Sequence, residues 1–378
     1  MAPARFASQA LVLLVLATAS GQAATVPTDN PRRTALDNAI GSAATAFFAD
    51  TCRVGLSLAV VDGAATSPHF YDYGSTIRGR RQLATPDTLY ELASVTKTFT
   101  GMLAAKAVHE GRMALDADFR TYLPGAWPNL QKNGRPITLR TLATHTSGMP
   151  RDIPDTDAAM SAPDVASRPA RLLAVERDFT PADFPAALHE ASLRTVPGAT
   201  EAYSNAAMKV IAMGVAQVYG APFETWLRTA ILQPLKMSDT GFAVAESQHA
   251  RLATGYDRNG VPAPYHTLNA GPSWGLYSDT RDMARYVARH LDEADPVIAQ
   301  AHAILRGDAA DGRGMIWNAS LDRGERVLWH GGGSFGMSSQ VVLYPATGQG
   351  FVLLANDTCP GTESALKALA MTVHAATR

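Results

Sequence analysis

Apolar and polar positions fall into three blocks along the chain. Near the start, residues 35–49 carry an Ala-rich helical pattern, and 55–61 is a run of Leu, Val and Ala that reads as a strand. Residues 95–110 place Val95, Phe99, Met102, Leu103 and Val108 at helical spacing, and Gly111 stands where a helix commonly ends. From 112 to about 300 the pattern is mainly helical, most clearly over 139–144, 205–218, 223–232 and 281–291. In the last of these, Met283, Tyr286, Val287, His290 and Leu291 share one face. The stretch 151–185, rich in Pro, Asp and Ala, predicts a long surface excursion. Beyond 313 come short β-rich runs at 315–321, 326–329, 339–344 and 350–355. Asp322-Arg323-Gly324 and Pro345-Ala346-Thr347-Gly348 mark turns between them, and 363–376 reads as a closing helix. Strands at both ends with helices between predict an α/β (α+β) fold. Its antiparallel sheet is built from 24–111 and 300–378, a mainly helical domain over 112–299 is inserted, and a site lies at the interface of the two.

Composition narrows the function. With 46% hydrophobic and 18% charged residues, the chain is not of the disordered class. Lys and Arg total 33 against 34 Asp and Glu, so no basic excess offers a footprint for a phosphate backbone, and a nucleic-acid partner is not expected. Arg5, the apolar run 10–17 and the small residues of Gly21-Gln22-Ala23 predict a secretory signal over 1–23, hence a secreted or periplasmic location. That run is shorter than the ~20 apolar residues of a membrane span. The two cysteines, Cys52 and Cys359, have no Cys-x-x-Cys spacing of a metal or redox site. Cys52 precedes the first strand and Cys359 follows the last. Antiparallel pairing of those strands would bring the sulfurs together as a disulfide; two buried free thiols are the alternative.

Several motifs are decoys. Gly331-x-Gly333-x-x-Gly336 lacks the helix that a dinucleotide fingerprint needs after it. Gly271-Pro272-Ser273-Trp274-Gly275 matches a nucleophile elbow, but Pro262, Pro264 and Pro272 argue against the strand an elbow requires before it. Gly332-Gly333-Ser334-Phe335-Gly336 lies between strands. The pattern that survives is Ser94-Val95-Thr96-Lys97, whose i, i+3 spacing puts both side chains on one helix face. A serine hydroxyl needs a base beside it, and a lysine made neutral by burial can serve. Ser94 at a helix N-terminus also has free N–H groups near it for a developing oxyanion. Downstream, Tyr203-Ser204-Asn205 precedes a helix, and His330-Gly331-Gly332 ends a strand with room for a substrate backbone.

On these residues the chain resembles the serine hydrolases that include class C β-lactamases, penicillin-recognising DD-peptidases, family VIII esterases and D-aminopeptidases. Further supports are Leu142-Ala143-Thr144-His145-Thr146-Ser147-Gly148-Met149-Pro150, Pro234-Leu235-Lys236-Met237 and Gly275-Leu276-Tyr277-Ser278. The resemblance runs from about 35 to 370, and 136–152 is most similar to the AmpH-like DD-carboxypeptidase/endopeptidase branch. It implies that Ser94 attacks a carbonyl, Lys97 takes its proton and Tyr203 passes a proton to the leaving group. It further implies that Asn205 holds Lys97 or a substrate amide, and that the amides of Ser94 and Gly333 form an oxyanion hole beside Gly332. No metal or organic cofactor is required. His330-Gly331-Gly332 departs from the Lys-Thr-Gly of class C enzymes, which puts efficient β-lactamase activity in doubt. The expected substrates are D-amino-acid-containing peptidoglycan peptides. A carboxylesterase, a β-lactamase and a non-catalytic binding protein are the alternatives. His145 reads as a structural histidine, and Trp274 and Trp329 as cleft or core residues.

Overall fold

Every residue of the strand Gly55–Asp62 except its last is buried, which is why it reads as a continuous apolar run rather than an alternation. In the computed structural model, which describes residues 26–63 and 67–378, it lies second in an eight-stranded antiparallel sheet. The order is His69–Gly74, Gly55–Asp62, Gln349–Ala355, Ser338–Tyr344, Glu325–Gly333, Asn318–Asp322, Asp311–Arg313 and Arg306–Gly307. Both chain ends therefore share one sheet. Leu56 pairs with Ala355 and Asp62 with Gln349, so the start of the early strand meets the end of the late one. Cys52 and Cys359 are joined there in a disulfide, the pairing that the strand order implies. The signal expected over 1–23 lies outside the described residues. Among those residues, no single helix is long and apolar enough to cross a membrane.

Helices cover both faces. Ala35–Phe47 and Thr362–Thr377 bury Ile40, Leu366 and Ala370 against Leu56, Leu58 and Phe351 on one side. Thr34 starts the first of these helices: its side chain accepts from the Asp37 N–H, and Asp37 answers at the Thr34 N–H. On the other side, Thr96–His109 and Thr280–His290 pack Leu103 and Val287 against Ala59, Val61 and Val352. Gly350 permits the close approach of the second helix, because a methyl group there would stand 2.4 Å from Val287 Cγ1.

The expected elements recur with shifted ends. The helix over 223–232 is α-helical over Phe223–Leu227 and widens to a π-turn over Arg228–Leu232. The strand expected from 315 starts at Asn318, because Ile316 turns back at φ 76° while Met315 and Trp317 fill the core. The strand expected over 326–329 runs on to Gly333, carried by pairing with Ser338–Tyr344. His69–Gly74 pairs along Gly55–Asp62 as an edge strand that the pattern did not reveal. The excursion 151–185 is not loose: it forms Asp157–Met160 and Arg168–Glu176 and buries Leu172.

The disulfide links residues 307 apart in sequence, so it restricts the unfolded chain strongly. Cys52→Ser/Cys359→Ser should cost on the order of 2–5 kcal/mol, read as a lower denaturant midpoint with little change at the cleft.

Candidate active site

Ser94 sits on a short 3₁₀ turn, Ala93–Val95, that leads into Thr96–His109. Ala93 before it is fully buried at φ 45°, a left-handed conformation that non-glycine residues seldom adopt. The turn is held from three sides. The Leu92 N–H donates to Leu276 O (2.7 Å), the Ser339 hydroxyl donates to Leu92 O (2.6 Å), and the strand Glu325–Gly333 presses on Ser94 itself. A methyl group on Gly332 would lie 2.7 Å from the Ser94 nitrogen and 2.6 Å from Leu92 O. Only glycine allows that contact, so this His-Gly-Gly segment is where the sheet meets the serine.

Lys97 is one helical turn on and has no solvent exposure. Its Nζ lies 3.1 Å from Ser94 Oγ and donates to Ser273 O at 2.6 Å. Burial drives its pKa well below the usual lysine value; Asp152 opposes that shift and Arg151 adds to it. The Tyr203 hydroxyl donates to Ser94 Oγ at 2.7 Å. Burial pushes the Tyr203 pKa up, so the group is a phenol rather than a phenolate at neutral pH. With Oγ accepting from tyrosine, the serine proton is free to point at the amine.

Tyr203 and Asn205 are aimed by the segment 144–152. The His145 ring, at φ 55°, packs 4.4 Å from the Tyr203 ring, and Nδ1 accepts the Ser204 N–H. Burial lowers the His145 pKa to about 3, so the ring is neutral and serves as an acceptor. Ser204 Oγ donates to Pro150 O at 2.6 Å and caps the helix Asn205–Tyr219 by accepting from the Ala207 N–H. Gly148, at φ 75°, lets Thr195 O approach where a methyl group would stand only 2.2 Å away. The Thr-His-Thr-Ser-Gly motif thus ties two segments together in front of the tyrosine.

Asn205 Nδ2 donates to Asp152 Oδ1 at 2.7 Å, and its Oδ1 is buried without a partner. Lys97 is held by the Ser273 carbonyl instead of by Asn205. Ser273, which the sequence offered only as a false elbow, also donates from Oγ to Asn205 O at 2.7 Å. Nothing in its local pattern marks that part; only the fold brings residue 273 under residue 97. His330 is buried and hydrogen-bonds Gly331 O through Nδ1 at 2.8 Å. Burial lowers its pKa to about 4, so it is neutral at pH 7.

These groups open onto a cleft of about 320 Å³ lined by Ser94, Tyr203, Asn205 and Gly333, with Trp274 and Phe335 edge to face at 5.8 Å. Met160 and Leu172 of the excursion form part of its wall. Trp329 faces away, under the Lys367 ammonium at 3.7 Å. Among the described residues, no cluster of His, Cys, Asp and Glu could hold a metal ion.

Known proteins share this fold. The fold matches a β-lactamase/D-alanine carboxypeptidase from Pseudomonas syringae with a TM-score of 0.73 at 20% identity, over 90% of this chain and 99% of that one. It also matches an octameric penicillin-binding protein homologue from Pyrococcus abyssi with a TM-score of 0.70 at 22% identity, over 89% and 76% of the two chains. In sequence, the chain is 31% identical over 245 residues to the D-alanyl-D-alanine-carboxypeptidase/endopeptidase AmpH of Escherichia coli, covering 65% of this chain and 59% of AmpH. It is 28% identical over 293 residues to protein Flp of Staphylococcus aureus, covering 75% of this chain and 56% of Flp. The chain thus spans less than two thirds of either relative. Residues 41–376 match the β-lactamase family, and with the fold and the motifs on one surface, the chain belongs to that family.

Proposed function

We propose that this protein is an exported serine hydrolase that works through an acyl-enzyme on Ser94, acting on D-amino-acid-containing peptidoglycan peptides. The observation that carries the reading is the chain of contacts from Tyr203 OH to Ser94 Oγ to Lys97 Nζ, with the lysine shut off from water. Neutral Lys97 takes the serine proton as Oγ attacks the substrate carbonyl. The oxyanion is received by the amides of Ser94 and Gly333. Collapse breaks the bond to the leaving group, which takes a proton through Tyr203, and Lys97 resupplies the tyrosine. Water then hydrolyses the acyl-enzyme by the reverse proton route. The unpartnered Asn205 Oδ1 is placed to accept a substrate amide N–H.

The substrate class is supported by the name of the AmpH relative and by the cleft, whose walls are mixed polar and apolar. Export is supported by the disulfide and by the 1–23 pattern. A carboxylesterase on the same scaffold is the second reading. It is favoured by His330, which is neutral at pH 7 and offers a substrate carboxylate no permanent cation.

Intact-protein mass spectrometry after incubation with benzylpenicillin, with Ser94→Ala as control, tests the reading. A lasting adduct absent from the variant supports a DD-peptidase that deacylates slowly. No adduct with the drug intact moves the assignment to an esterase or D-aminopeptidase, and consumed drug means a β-lactamase. Ser94→Ala should lose at least about 10⁴-fold in turnover of any activated ester; retained activity, or none in the wild type, sinks the mechanism. The dependence of kcat/KM on pH should rise on the acid side as the Lys97 ammonium loses its proton, with a midpoint below the ordinary lysine value of 10.5. It should fall only above the ordinary tyrosine value of 10.0, as Tyr203 ionises. Gly332→Ala should cost about 10²–10³ in kcat by moving the strand off Ser94, with stability measured alongside to separate folding loss.

A further inference from the structure

Alternation along Glu325–Gly333 splits its last residues between two sides. Gly332 faces Ser94, whereas Gly331 and Gly333 face the start of the C-terminal helix. A methyl group on Gly331 would lie 3.1 Å from Glu363 Oε2, and one on Gly333 would lie 2.7 Å from Oε1. The Glu363 carboxylate therefore rests across both glycines, at the end of the strand that borders the cleft. Gly333 and Thr358 next to it line that cleft.

Glu363 is an exposed residue, and among the described residues its carboxylate has neither an ion pair nor a side-chain hydrogen bond. The cations nearby are committed elsewhere. Lys367, one turn on, stacks over Trp329 at 3.7 Å, and Arg53 pairs with Asp357 at 3.3 Å. Burial is the main cause that opposes ionisation of the Tyr203 hydroxyl; the Glu363 charge adds to it, and the Arg151 guanidinium works against it. That hydroxyl is the group that hands a proton to the departing atom, so the field of Glu363 acts where the leaving group sits. A first-turn acid also suits the helix dipole, which is the purely structural reason for a glutamate here.

We propose that Glu363 sets the charge of the leaving group, favouring one that carries an ammonium and turning away one that carries a carboxylate. The inference rests on the Ser94 acyl-enzyme reading and goes further by naming the substrate feature that the cleft selects. Arg151, Arg168 and Arg258 line the same cleft together with Asp152, Glu176 and Asp257, and any of the three arginines at the leaving group would give the reverse preference.

The test uses three thioesters of one N-acyl-D-alanine, with thiocholine, whose quaternary ammonium cannot attack the thioester, ethanethiol and mercaptoacetate as leaving groups. Water cleaves each to the acid and a free thiol, which a thiol reagent counts. Assays run at pH 8 and low ionic strength, and the kcat/KM ratio within each variant is divided by the ratio of the uncatalysed hydrolysis rates, so loss of folded protein and differences in leaving-group reactivity both cancel. The wild type should prefer the ammonium thioester over the carboxylate one by about tenfold, and added salt should shrink the gap because screening weakens an exposed charge. Glu363→Gln should bring the ratio near one, and Glu363→Lys should reverse it. A ratio unchanged by Glu363→Gln would confine the residue to the helix dipole and overturn the proposal. So would a wild-type preference for the carboxylate thioester that disappears in Arg151→Ala, Arg168→Ala or Arg258→Ala. Turnover of the ethanethiol ester by Ser94→Ala would instead overturn the nucleophile assignment, an outcome that the leaving-group ratios cannot mimic.

Discussion

Lys97 has no contact with solvent, and its polar neighbours are a serine hydroxyl and a backbone carbonyl, not a carboxylate. An ammonium there would have given up hydration worth several kcal/mol with little returned. Burial therefore favours the form without the proton, the form that the proposed mechanism requires beside Ser94. The same enclosure acts on Tyr203 with the opposite result, since a buried phenol keeps its proton. One physical cause, exclusion of water, thus sets a base and an acid on either side of one hydroxyl.

Enclosure on this scale requires two layers to meet tightly at residue 94. The helix Thr96–His109 supplies Lys97 from below, and the Ser273 segment closes the other side. The strand Glu325–Gly333 closes the front, and it reaches Ser94 only because residue 332 has no side chain. Early and late strands paired in one sheet hold that strand and the serine turn in a common frame, with the early and late strands tied at one end by the Cys52–Cys359 link. The strain visible at Ala93 is compatible with this frame. A buried residue at φ 45° persists where the surrounding contacts fix it, here the Leu276, Ser339 and Gly332 contacts to the turn.

The residues that the sequence made legible are those whose chemistry is local. Ser94 and Lys97 share a helix turn, Tyr203 and Asn205 flank a helix start, and His330 ends a strand, so spacing and element type suffice to find them. That early and late strands share one antiparallel sheet was legible for a similar reason, since apolar runs at both ends have few ways to bury themselves. Ser273 was not legible, because its part depends on a carbonyl that any residue carries and on a contact 176 positions from Lys97. The turn at Met315-Ile316-Trp317 was misread as strand because three buried apolar residues look alike in either conformation. The excursion 151–185 looked like solvent-facing loop from its Pro and Asp content, yet a few apolar side chains such as Leu172 were enough to anchor it.

That division has a chemical consequence. Burial dominates the proton-handling groups, and charges further out, such as Arg151 and Glu363, adjust them. In the proposed reading, substrate choice falls to the surroundings of the cleft: the Glu363 carboxylate over the two glycines, the Trp274–Phe335 pair and the excursion wall. These come from four separate parts of the chain and touch the reacting serine only through space. A change at any of them alters the field or shape met by the substrate without disturbing the buried base. In the proposed reading, charge around the cleft then decides which substrate the buried arrangement accepts.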